Sequence, residues 1–244
     1  MDYKKISNFK DHKDLQYEVT KDLWPEFMFH DSISNKYWKE LFSFYPDFQY
    51  SLKSKGEILG IGNSIPLFWN KDFNQLPERG WDWALKKCIE DKNKEIKPNT
   101  LCGLQIAVAK DHQNKGVSTL LLKEMVNTAK EYDYKNVIIP IRPSLKSKYP
   151  LTDMNNYINW KREDGLPYDP WIRVHLRFGG KVIKVCHKAM IIKGTIKEWE
   201  KWTNLKFYES GRYVVKGALN PVKIDIDNDT GEYIEPNVWI LHKV

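Results

Sequence analysis

Cysteine is scarce: Cys88, Cys102 and Cys186 are the three in 244 residues, and no two form a CxxC pair. That odd count argues against a disulfide framework and against a cysteine-held zinc site, so the three are read as structural. Cys186 and His187 are adjacent, but strand neighbours point to opposite faces and make a poor nucleophile–base pair. Long apolar runs are missing too; none approaches the roughly 18 residues of a membrane span. The polar start, MDYKKISNFKDHKD, lacks the apolar segment of a secretory signal, and a cytoplasmic location is the expectation. Neither the Walker pattern GxxxxGK[ST] nor the dinucleotide pattern GxGxxG occurs. Lysine runs, zinc-finger patterns and RNP-like patterns are equally absent, which disfavours a nucleic-acid groove. No internal repeat or low-complexity linker interrupts the chain.

What is present is a net charge of +7 with a pI near 9.0. Such a surface favours an anionic partner, a phosphorylated cofactor or nucleic acid, although scattered lysines also serve as an ordinary solvated surface. With 41% hydrophobic and 14% aromatic residues, the chain has material for one large domain or a domain with an appendage.

Along the chain, SNKYWKELFSFY (34–45) has helical spacing with Ser34 as N-cap and Pro46 as its stop. FQYSL (48–52) and EILGIGNSIPLFW (57–69) read as a hairpin, with Gly60 and Gly62 marking a bulge or a close backbone approach. Residues 77–95 look helical. LCGLQIAVAK (101–110) is a nearly continuous apolar strand, as expected when both faces are covered. Leu121, Leu122, Met125, Val126, Ala129 and Tyr132 make one helical stripe, and NVIIPI (136–141) is a second strand. Strand, helix and strand within about forty residues form a βαβ unit with a parallel pair.

A short helix is expected at 154–160, a second at 170–178 closed by Gly179-Gly180, and a long strand at 181–192. Thr195 and Glu198 fit a capping box opening another helix, and residues 222–242 alternate around Asn-Asp-Thr-Gly as a hairpin.

Between the strand ending at Ala109 and the helix beginning near Ser118 lies Gln113-Asn114-Lys115-Gly116-Val117-Ser118. The first amides of a helix lack partners and carry the positive end of its dipole. With Gly116 allowing close approach and Lys115 adding charge, this loop reads as a pyrophosphate seat.

The hexamer resembles the acyl-CoA signature of the GNAT superfamily of N-acyltransferases, Gln/Arg-x-x-Gly-x-Gly/Ala, with Ile106 and Val108 matching the strand before it. Ser118 replaces the last Gly or Ala, and Lys110 stands where proline is common. Phe178-Gly179-Gly180 resembles the family's later Leu-Tyr-x-x-x-Gly-Phe segment, and the resemblance covers roughly residues 30–192. It implies an α/β fold: a mixed, mostly antiparallel central sheet with a parallel βαβ unit and splayed strands, flanked by helices. Residues 1–244 would form a single such domain, with an insertion at about 142–169 and a C-terminal extension from about 194. Acetyl-CoA, or another acyl-CoA, would be the co-substrate, with no metal. The backbone of Ala107 and Val108 would pair with pantetheine, and amides from Gln113 to Ser118 would hold the pyrophosphate.

Amide formation from a thioester needs a neutral amine, a polarised carbonyl and a proton for the departing thiolate. In the family a tyrosine four residues before the helix-ending glycine often supplies it; here that position is His175, and an unperturbed imidazole can donate or accept near neutral pH. The family's frequent carboxylate base has no counterpart in LCGLQIAV, which offers only Gln105. Glu163 and Asp164 could bind a cationic amine between Trp160, Tyr168 and Trp171, or form a solvated turn. The implied activity is acetyl transfer from acetyl-CoA to the primary amine of a small molecule. Transfer to a hydroxyl or from a carrier protein, and a non-catalytic CoA- or nucleic-acid-binding module, are the alternatives. A homodimer is a further option; a membrane partner is not expected.

Overall fold

A computed structural model describes residues 2–7 and 12–244; Met1 and residues 8–11 of the polar start lie outside them. The chain runs through β1 (Lys4–Ser7), α1 (His12–Thr20), α2 (Ser32–Tyr37), α3 (Glu40–Phe44), β2 (Gln49–Ser54) and β3 (Glu57–Leu67). Next come α4 (Gly80–Asn93), β4 (Thr100–Val108), α5 (Val117–Glu131), β5 (Asn136–Ile141), α6 (Met154–Tyr157) and α7 (Pro170–Arg177). The last third supplies β6 (Lys181–Gly194), α8 (Ile196–Thr203), β7 (Gly211–Tyr213), β8 (Val222–Asp225) and β9 (Thr230–Lys243).

The nine described strands form one sheet in the order β1-β2-β3-β4-β5-β9-β8-β7, with β6 on the other edge of β9. Every pair is antiparallel except β4 and β5, the two strands of the βαβ unit. One face packs against α5 and α7 around Leu121, Met125, Ile139 and Tyr157. The other packs against α2, α3, α4 and α8 around Phe27, Leu85, Trp199 and Trp239. Among the described residues no helix is long and apolar enough to cross a membrane.

Gly60 and Gly62 are close approaches: a Cβ at Gly62 would meet the Tyr50 ring, and one at Gly60 the Ala107 carbonyl. The expected helix over 34–45 is two helices instead. Asp31, not Ser34, caps the first, accepting from the Ser34 amide at 2.6 Å. The interruption falls at Trp38 and Lys39, which keep helical backbone but pass through a tightened turn in which the Leu41 and Phe42 amides reach back only three residues. Trp38 stacks on Trp81 with centroids 5.8 Å apart. Thr195 and Glu198 do form a reciprocal capping box on α8.

The segment read as an extension beyond 194 is threaded into the sheet. Val238–Lys243 of β9 pairs with β5 on one side, and Gly231–Leu241 pairs with β6 on the other. Asn237–His242 is buried without a break, as a strand covered on both faces and both edges must be.

Candidate active site

Strands β4 and β5 share a ladder only at Leu101–Val137 and Cys102–Ile138. Beyond that point β4 stays with β3 as far as Val108, while β5 stays with β9 to Ile141. The sheet therefore opens into a V. Pro140 lies on β5 past the last β4 pair, where its missing N–H costs no ladder bond. On the β4 side Leu104 is an extra residue: Asn63 pairs with Gln105 and Ser64 with Gly103. The bulge carbonyl of Leu104 accepts instead from the Trp81 indole at 2.9 Å.

A cavity of about 950 Å³ fills the V. It passes through the sheet, since its walls include Ile106, Ile139 and Trp171 from one core and Met28, Trp81 and Met190 from the other. Along one limb lies the edge of β4 that β5 has left, including Ile106, Ala107 and Val108. That limb ends at the loop before α5. Asn114 and Gly116 both take left-handed backbone, at φ 60° and 78°, and no side chain caps the helix. Gln113, Asn114, Gly116, Val117 and Ser118 line the cavity. A fifteen-residue helix thus points its uncapped N-terminus at the open limb.

Lys115 does not join them; its Nζ is exposed and donates to the Asp111 carbonyl at 2.8 Å. Trp171 reaches the wall, but Trp160 packs among Tyr149, Tyr157 and Tyr168 away from it. Glu163 and Asp164 sit at the exposed tip of a tight hairpin closed by a Lys161–Pro167 bridge. Asp164 accepts from the Leu166 amide and pairs with Arg162. Neither Glu163 nor Asp164 is among the residues that line the cavity.

His175 also lies off the wall. Its side chain is fully buried behind Trp171, with ring centroids 4.3 Å apart, and its Nδ1 is 2.9 Å from His242 Nε2. His242 also meets the Phe178 backbone, and Nε2 of His175 is buried without a partner. Burial, aided by His242, holds His175 well below the usual imidazole range. His175 is not among the residues that line the cavity, and its Nδ1 meets His242 instead.

The polar corner of the cavity was not legible beforehand. Arg142, just past β5, places Nε 3.1 and 3.0 Å from the two Glu235 oxygens. Tyr233 and Asn237 donate to the same carboxylate at 2.9 and 3.3 Å. Position alone could have flagged Arg142, since ligands gather at the carboxyl ends of parallel strands. Its neighbour Lys146 is buried, donating to the Tyr149 and Leu219 carbonyls at 2.9 and 2.6 Å; burial pushes its ammonium down to about 8. This clamps the start of the 142–169 segment to the C-terminal part of the chain.

Comparison with known proteins accords with this geometry. The model of the acetyltransferase (GNAT) family matches residues 16–147. An arginine N-acetyltransferase, avaD of Aspergillus versicolor, is 29% identical over 250 residues, covering 91% of this chain and 86% of the relative. Among solved structures, the loading GNATL domain of CurA from Lyngbya majuscula superposes with a TM-score of 0.63 at 17% identity, covering 100% of this chain and 98% of that one. The GphF GNAT-like decarboxylase in complex with isobutyryl-CoA gives 0.60 at 15% identity, with 100% and 99% covered. The family match spans more than half of the 244 residues and includes both the split strands and the loop between them; the chain belongs to the acetyltransferase (GNAT) family.

Proposed function

We propose that the chain transfers an acetyl group from acetyl-CoA to the primary amine of a small, arginine-like acceptor. The observation that carries this reading is the V itself: a strand edge with no partner strand among the described residues, leading to a helix N-terminus without a side-chain cap. The edge at Ala107 and Val108 would pair with the pantetheine amides. The amides at Gln113, Asn114, Gly116, Val117 and Ser118 would receive the pyrophosphate, with Lys115 adding charge from outside the wall. The acyl group then lies in the split, and the acceptor reaches it from the opposite face, between Trp38, Trp81 and Met190.

In the reaction the amine lone pair attacks the thioester carbon, the carbon–sulfur bond breaks, and the proton lost by nitrogen balances the one sulfur gains. Apart from His112, which belongs to the loop and lies 3.3 Å from Glu57, no imidazole, thiol or phenol is among the described lining residues. Catalysis therefore leans on holding the reactants together. The acceptor class follows the relative from Aspergillus versicolor, which acts on arginine by its name.

Release of CoA thiol from acetyl-CoA, assayed with a panel of amines, tests the activity. Binding is tested with Gly116→Asp. Nothing lies within 4 Å of a Cβ built at Gly116, and aspartate tolerates left-handed backbone better than most residues, so the variant should fold. Acetyl-CoA at 100 times its Kd stabilises a binding-competent protein by about 2.7 kcal/mol. Gly116→Asp is expected to lose that thermal shift; a folded variant with an unchanged shift would overturn the cofactor assignment.

A further inference from the structure

The face of the cavity opposite the cofactor limb holds an ion pair whose two members are unequally available. Glu235 is 1% exposed and saturated: its oxygens accept from Arg142, Tyr233 and Asn237. Arg142 keeps 18% exposure and lines the cavity. Its Nη2 donates to the Gly217 carbonyl, and its guanidinium lies 5.8 Å from the Trp24 ring centroid. Both residues line the cavity at this corner, and the carboxylate oxygens are already taken while Arg142 is the more exposed of the two. Arg142 and Lys39 set two cations against the single carboxylate Glu235 on the described wall. A buried ion pair is a costly way to fix a strand corner, since apolar residues of similar volume often do as well. A planar, pre-oriented guanidinium is, by contrast, well suited to bind carboxylate.

We propose that Arg142 recognises a carboxylate on the acceptor, so that the enzyme selects amines bearing one, α-amino acids above all. The inference rests on the N-acetyltransferase reading and specifies the acceptor of that same site. Its position fits. Arg142 follows Ile141, the last β5 residue paired with β9, and so stands at the mouth of the V, across from the strand edge that would hold pantetheine.

Arginine and agmatine, which differ by the carboxylate, provide the test. With acetyl-CoA saturating, the wild-type kcat/KM should favour arginine by roughly 10- to 100-fold, the range for a charge-assisted hydrogen bond. In Arg142→Gln that ratio should fall to within about threefold of unity, as expected when such a bond is lost. Because this variant strands Glu235 without its cation, the double variant Arg142→Gln/Glu235→Gln is measured beside it, with Tm recorded for both. Collapse of the ratio in a folded double variant supports the assignment. A wild-type enzyme that acetylates both amines equally, or a ratio that survives in the double variant, overturns it while leaving the transferase reading intact. Failure to release CoA with any amine overturns both.

Discussion

His175 and His242 make a pair of imidazoles in which burial pushes His242 down to about 4 and holds His175 well below the usual imidazole range. Both titrate near 6.5 in an unfolded chain. As pH falls below about 6.5, the unfolded chain takes up protons that the folded one refuses, so stability declines from there toward about 4. For His242 alone that loss is on the order of 3 kcal/mol. Urea midpoints measured between pH 7 and pH 4.5 should drop accordingly, and His242→Phe should flatten the drop. Turnover is a separate question. His175→Ala is expected to lower Tm by opening a hole behind Trp171, with kcat per folded molecule within a few-fold of wild type. A kcat loss of about 10²–10⁴-fold would return His175 to the role of general acid.

Helix α7 owes its position to one residue. Asp169, 2% exposed, accepts from the Trp171 and Ile172 amides through one oxygen and from the Leu145 amide and Tyr157 hydroxyl through the other. It caps α7 and ties the Leu145 wall of the cavity to the Trp171 wall. Asp169→Ala should cost about 2–4 kcal/mol, read as a shifted urea midpoint, because it removes a cap and strands buried donors together. Elements of this kind were legible where their cause is local. The βα loop, α5 and β5 could be read because hydrophobic period, turn and cap all lie within a short window. The capping box of α8 could be read from two residues three apart. The break in the 34–45 helix could not, because Trp38 and Lys39 keep helical backbone and no Gly or Pro marks the tightened turn between the two pieces. Nor could the polar corner of the site, whose partners Arg142 and Glu235 are 93 residues apart in the chain.

Across the whole molecule, β9 joins what would otherwise be two sheets. Strands β1 to β5 lie on one side of it and β6 on the other, while β8 and β7 continue from its far end. A chain cut before Thr230 loses the partner of β5, β6 and β8 at once, and leaves Arg142 without Glu235. Circular dichroism of that truncation should show loss of cooperative unfolding, rather than a smaller domain that still melts. The placement of β9 also governs biosynthesis. Every other strand leaves the ribosome earlier, so the V, the α5 anchor and the first half of the site emerge into a nascent chain whose sheet cannot close. Domains ordinarily fold as units during synthesis. Here completion waits for the strand translated last of the nine described, and until then β5 and β6 lack the partner they share.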